Sequence, residues 1–155
     1  MRFSDAFPAN VSQTMGSYTF DEAGIIAFAK KFDPQYFHVD PVRAADSVLG
    51  GLCASGWHIC SAWMQLNVAF LGNHFRKLAE AGIKPPVMGP ALGFRELKWK
   101  APVYAGDTVT YSVTLLRSIK APNRDDRYLN EVLCEGVNQH GKPVVSFTVT
   151  VIDFG

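Results

Sequence analysis

Two kinds of periodicity divide this chain of 155 residues, and the switch between them limits what it can fold into. From Ser55 to Leu71, Ile59, Trp63, Leu66 and Phe70 mark one helical face while Trp57, Cys60, Met64, Val68 and Leu71 mark another. A helix apolar nearly all round is expected to be buried on most sides, and Gly72-Asn73 is the expected stop. From Ala91 onward the period becomes two. Thr108 to Leu115 alternates polar and apolar without a slip, as does Val145 to Val151, which is the pattern of half-buried antiparallel strands. Leu92 to Trp99 and Tyr128 to Val137 read as two further strands. Ala105-Gly106-Asp107 and His140-Gly141-Lys142-Pro143 read as turns, and Lys120 to Arg127 as a polar loop. A buried helix followed by an antiparallel sheet predicts an α+β fold in which the sheet wraps the helix.

Upstream, Thr19-Phe20-Asp21-Glu22 has the form of a capping box, with the Thr19 hydroxyl accepting from the Glu22 amide. It predicts a helix to about Lys31, with Ile25, Ile26 and Phe28 turned inward. Pro34 ends that helix, and a short one follows from Pro41 to about Asp46 with Asp40 as its N-cap.

The chain suits one domain spanning residues 1–155. Lys and Arg total 15 against 14 Asp and Glu, so no field exists to steer a polyanion, and neither nucleic acid nor an anionic membrane is expected as a partner. Cys53, Cys60 and Cys134 are odd in number and form no CxxC pair, which predicts three small buried thiols in a reducing, cytoplasmic setting. Met1 to Met15 lacks the basic segment and apolar core of a signal peptide, and no apolar run reaches membrane-spanning length. Cys53, His58 and Cys60 lack a second cluster that would complete a metal site, so no metal is expected.

The chemistry is concentrated in Phe32-Asp33-Pro34-Gln35-Tyr36-Phe37-His38-Val39-Asp40. A carboxylate and an imidazole five residues apart on a proline-braced segment can reach one water molecule, as addition of water across a carbon–carbon bond requires. Taken singly, Asp33 also fits a helix end and His38 a satisfied loop histidine. The rest of the chain favours a site: Gly56 stands at the head of the apolar helix, and Pro102-Val103-Tyr104-Ala105-Gly106-Asp107 follows downstream.

In that order these pieces resemble the MaoC-like dehydratases, the family of (R)-specific enoyl-CoA hydratases with the hot-dog fold. The likeness runs from about Tyr18 to Val151. Asp33 and His38 fall on the aspartate and histidine of the family motif Gly-Asp-x-Asn-Pro-x-His, and Gly56 falls on a glycine whose backbone N–H serves as an oxyanion donor. Lys100 to Val109 is similar to the segment Pro-Val-x-x-Gly-Asp-x-Val; Gly106-Asp107 reads as an ordinary turn. The chain departs from the motif in having Phe32 for the glycine, Gln35 for the asparagine and Tyr36 for the proline, with Pro34 directly after the aspartate.

The resemblance implies a substrate carried as a thioester on coenzyme A or an acyl carrier protein, a homodimer or higher homo-oligomer with sheets joined edge to edge, and water addition or removal by Asp33, His38 and Gly56. Water addition transfers no electrons, so no cofactor is required. Trp57, Trp63, Met64 and Phe70 are candidates for contact with the acyl tail, although core packing also accounts for them. Arg76, Lys77, Lys84, Lys98 and Lys100 are candidates for the coenzyme A phosphates. Two other functions compete: a hot-dog thioesterase, disfavoured because Ser55 to Leu71 holds no Asp or Glu, and a non-catalytic acyl-CoA-binding subunit. A serine hydrolase fits least, since Ser61 lacks a Gly-x-Ser-x-Gly setting.

Overall fold

The computed structural model describes residues 1–122 and 124–154; Asn123, within the expected polar loop, lies outside them. Five strands, β1 (Ser12–Thr19), β2 (Val87–Trp99), β3 (Thr108–Lys120), β4 (Arg127–Val137) and β5 (Pro143–Phe154), form one antiparallel sheet in the order β1-β3-β4-β5-β2. Five helices accompany it: α1 (Phe3–Ala6), α2 (Glu22–Phe32), α3 (Tyr36–Val39), α4 (Pro41–Ala45) and the long α5 (Gly56–Glu80). The sheet and the central helix make a hot-dog fold.

The alternation in β3 is converted directly into packing. Val109, Tyr111, Val113 and Leu115 are buried, and the residues between them face outward. Against them lies one face of α5, where His58, Ile59, Ala62 and Trp63 are buried. The fully buried Tyr111 hydroxyl donates to the Ile59 carbonyl at 2.9 Å, and Trp63 meets Phe147 of β5 edge to face at 4.9 Å. Each such aromatic removes enough apolar surface from water to contribute roughly 1.5–3 kcal/mol.

Several expectations change. The second apolar face of α5 is open within the chain: Trp57, Met64 and Val68 are exposed. The helix is therefore half-buried along its length, not enclosed. It also runs through Gly72 to Glu80. A glycine inside a helix costs about 1 kcal/mol relative to alanine, less than is gained by burying Phe75, which lies beyond Gly72 and packs against the core. Of the three thiols, Cys53 and Cys134 are buried but Cys60 only partly so.

The Thr19 capping box does not form. Thr19 is the last residue of β1, where its hydroxyl pairs with that of Thr108 at 2.8 Å, and Asp21 is the cap, accepting from the Gly24 amide. The strand competes with the cap for Thr19 and wins because β1 is already paired along β3. Asp40 does cap α4, accepting from the amides of Val42 and Arg43 at 3.1 Å each, with Pro41 at the first helical position.

This assignment is directly testable. Asp21→Ala should destabilise the protein by about 1 kcal/mol in urea unfolding, the usual cost of losing a cap. Thr19→Val, which keeps a good strand former on an exposed edge, should change stability by less than half as much; equal losses would restore the Thr19 cap.

Candidate active site

Three segments that are distant in sequence meet at the N-terminus of α5. The first is the end of α2, where Asp33 is the C-cap and Pro34 prevents a further turn. The second is α3, a single turn that turns His38 inward until it is 6% exposed. The third is Leu52 to Ser55, stitched into the core by the Cys53 amide bonding the Phe37 carbonyl at 3.2 Å and the Ala54 amide bonding the Val103 carbonyl at 2.8 Å. These bonds leave the side chains of Asp33 and His38 little freedom.

His38 Nδ1 lies 2.6 Å from the carbonyl oxygen of Cys53. A carbonyl can only accept, so Nδ1 carries the proton and Nε2 is left as the lone-pair nitrogen of the neutral ring. Nε2 stands 3.4 Å from Asp33 Oδ2. That carboxylate accepts from the Ser55 hydroxyl at 2.7 Å on Oδ2 and from the Gln35 side-chain amide at 2.8 Å on Oδ1. Partial burial raises the Asp33 pKa, but the Ser55 and Gln35 hydrogen bonds outweigh it and hold the carboxyl below its ordinary range. Two hydrogen-bond acceptors, Oδ2 and Nε2, thus converge where one donor molecule can serve both.

Gln35 stands at the asparagine position of the motif that this segment resembles. Its side chain is long enough to fold back two residues onto Asp33. The neighbouring Cys53 thiol is no nucleophile: burial, reinforced by the Asp33 charge, pushes it up to about 11.

Gly56, the first residue of α5, borders the same cleft of about 340 Å³ as Asp33, Gln35 and His38. Its N–H belongs to the first turn of the helix, where amides lack intrahelical acceptors and the helix dipole is positive. The glycine also has a packing reason. A Cβ at this position would overlap the indole of Trp99, whose Nε1 donates to the Gly56 carbonyl at 3.0 Å. Both pressures act on one residue.

The basic candidates separate. Lys98 and Lys100 are the sequence neighbours of Trp99, which lines the cleft, whereas Arg76 and Lys77 lie twenty residues or more along α5 from Gly56, about 30 Å away. Gly106-Asp107 is a turn: Asp107 Oδ2 accepts from the Tyr104 amide at 2.8 Å, and Gly106 has a positive φ of 94°. Among the described residues no group of three or more His, Cys, Asp or Glu side chains is arranged to hold a metal ion, and no helix is long and apolar enough to cross a membrane.

Residues 7–128 match the family model of the MaoC-like domain. The chain belongs to that family. It is 29% identical to a MaoC-like dehydratase from Rhodospirillum rubrum whose crystal structure superposes with a TM-score of 0.79, covering 99% of this chain and 97% of that one. An (R)-hydratase from A. caviae involved in PHA biosynthesis shares the fold, with a TM-score of 0.67 at 23% identity, over 94% of this chain and 96% of that one. The uncharacterized protein YdeM of Bacillus subtilis is 27% identical over 128 residues, 83% of this chain and 82% of YdeM.

Ser55 and the Cys53 carbonyl are the site features that sequence reasoning missed. Ser55 carries one faint signal, an N-cap residue immediately before the family-like glycine. Its double duty suggests a test. Because its hydroxyl lowers the Asp33 pKa, Ser55→Ala should raise the Asp33 titration midpoint followed by carbon NMR, with the wild-type midpoint below the ordinary carboxylate range. A carboxyl held below its unfolded value stabilises the fold above that value and loses the contribution as pH falls through the folded midpoint. Ser55→Ala should therefore lose less stability than wild type on acidification through that window. An unmoved midpoint would show that Ser55 is only a helix cap.

Proposed function

We propose that this protein is an acyl-thioester hydro-lyase, adding water to an α,β-unsaturated thioester or removing it from the 3-hydroxy product. The single observation that carries the reading is the convergence of Asp33 Oδ2 and His38 Nε2, 3.4 Å apart, on a cleft that also borders Gly56. Membership of the MaoC-like family supports it.

In the hydration direction, one water molecule donates to both Oδ2 and Nε2. Its oxygen attacks C3, the C2–C3 π pair moves toward the thioester, and negative charge gathers on the thioester oxygen. The Gly56 N–H and the positive end of α5 meet that charge as it forms. The water proton passes to the Asp33–His38 pair, and a proton returned to C2 collapses the enolate and restores the pair. The tautomer imposed by Cys53 keeps Nε2 free to accept, and the low pKa of Asp33 keeps its carboxylate charged at neutral pH.

The substrate is carried on coenzyme A or an acyl carrier protein, with Lys98 and Lys100 on the side from which the carrier arrives. Its tail leaves along Trp57. The protein works as a homodimer. Of the two sheet edges, β1 is polar, with Ser17 and Thr19 hydroxyls paired to Thr110 and Thr108, whereas β2 exposes Leu92 and Phe94. An unpaired apolar edge is a liability that a second copy removes. No observation favours a thioesterase, because no carboxylate of α5 faces the cleft.

Asp33→Asn and His38→Gln, each nearly isosteric, should each lower hydration of a short trans-2-enoyl-CoA by about two to four orders of magnitude. The double variant should lose little more than the worse single one, since both groups serve one transition state. Additive losses would separate their roles. A wild-type protein that hydrates no enoyl thioester of any chain length would leave the binding-subunit reading in its place. Gly56→Val is a poorer probe because its side chain must displace Trp99.

A further inference from the structure

One buried titratable side chain takes no part in the chemistry above. His58 lies on α5 two residues past Gly56, is 6% exposed, and sits in a box of three aromatic rings. Phe28 of α2 stacks on it with centroids 4.6 Å apart and planes 5° from parallel, while Phe20 and Tyr18 meet it edge to face at 4.9 and 5.9 Å. Its Nδ1 is buried without a hydrogen-bond partner. A phenylalanine would fill the same box and leave no polar atom unpaired, so the imidazole needs a reason to be there.

The stack continues outward. Phe28 packs on Phe32, one turn further along α2, with centroids 5.0 Å apart. Phe32 is 68% exposed, and the motif that this segment resembles has glycine in its place. It directly precedes Asp33. Three rings thus run from the first turn of α5 to the dyad, with the inner ring tied through the chain to Gly56 and the outer ring to Asp33. An exposed ring adds little to the core, but as the last member of the stack it fixes where α2 ends.

A proton on His58 undoes the stack from its inner end. Burial holds the imidazole below its ordinary range against the pull of Asp21, the N-cap of α2. Tyr18 is the titratable group that faces the ring from β1. Glu22, Lys30 and Lys31 of α2 are exposed, and Ser55 and Ala62, one turn away on α5, carry no charge. A state in which α2 lifts from His58 leaves the ring in water, where it takes a proton below about pH 6.5. That open state gains population as pH falls from there until the folded-state midpoint is passed. Charging His38 acts the other way, since it adds an ion pair to Asp33.

We propose that the His58–Phe28–Phe32 stack is a brace that positions Asp33 against Gly56, with Phe32 as its positioning residue, and that a proton on His58 slackens it. The proposal rests on the hydro-lyase reading for its effect on turnover; the brace itself is measured without substrate.

The amides of Asp33, Gln35 and His38 bond the carbonyls of Ala29, Asp33 and Gln35, and their protection against hydrogen exchange, followed by NMR, reads the brace. Phe32→Ala should lower that protection by about two- to tenfold, the range by which one aromatic pair shifts an equilibrium, and Phe32→Tyr should keep it. In the wild type, protection should fall as pH drops from about 7.5 to about 5, across the imidazole range. His58→Phe keeps a ring in the stack but takes no proton, so its protection should not fall. Hydration of a short trans-2-enoyl-CoA by Phe32→Ala should lose the same factor in kcat with KM unchanged. A wild-type protein that shows the brace but hydrates no enoyl-CoA would refute the hydro-lyase reading and leave the brace standing. Unchanged protection in Phe32→Ala, a loss that Phe32→Tyr shares, protection independent of pH in the wild type, or a fall that persists in His58→Phe would each overturn the proposal. If His58→Phe fails to fold, the other three decide.

Discussion

The seating of α5 on the concave sheet decides everything else in this molecule. Tyr111 bonding the Ile59 carbonyl and Trp63 against Phe147 fix the helix, and with it the four residues that precede it. Two of them make polar contacts of the site, the Cys53 carbonyl accepting from His38 Nδ1 and the Ser55 hydroxyl donating to Asp33, and Gly56 directly after them opens the helix. The dyad is therefore positioned by the core and not by its own loop. A catalytic pair built on rigid elements holds its geometry without being paid for in loop ordering at each encounter.

One glycine is pulled by two constraints that coincide. Trp99 closes over Gly56 and bonds its carbonyl, so the position would demand glycine for packing even without chemistry. In the proposed reaction, the same absence of a side chain would let a thioester oxygen approach the helix N-terminus. The Trp99 contact also ties the outer end of β2, the apolar sheet edge, to the mouth of the cleft. Edge pairing between two copies would thus act at the site and not remotely from it.

Much of the fold was legible in the chain. The alternation in β3 reads out as burial residue by residue, but β5 breaks it, with Thr148 buried and Val151 only partly so; β4 starts one residue before expectation and β2 five. β1 left no such trace: in Ser-Gln-Thr-Met-Gly-Ser-Tyr-Thr only Met15 and Tyr18 pack against the core, no residue is fully buried, and a bulge at Gly16 breaks the period between them. The cap at Asp21 was misread for the same reason, because Thr19 belongs to that unseen strand. Gly72 looked like a helix stop since local propensity says so, while tertiary burial of Phe75 overrides it. At the site, Asp33, His38 and Gly56 announce themselves by residue type and spacing, and they border one cleft. The Cys53 carbonyl does not, because every residue has a carbonyl; only the fold selects which one fixes a histidine tautomer.

The central claim is that a water held between Asp33 and His38 is delivered to C3 of an unsaturated thioester. Turnover of crotonyl-CoA in water enriched in heavy oxygen, read by mass spectrometry, tests it most directly. The account predicts 3-hydroxybutyryl-CoA with the label in the C3 hydroxyl and none in the thioester carbonyl. Label appearing instead in a free carboxylate, with release of coenzyme A, would mean that the water attacks the carbonyl carbon and would contradict it.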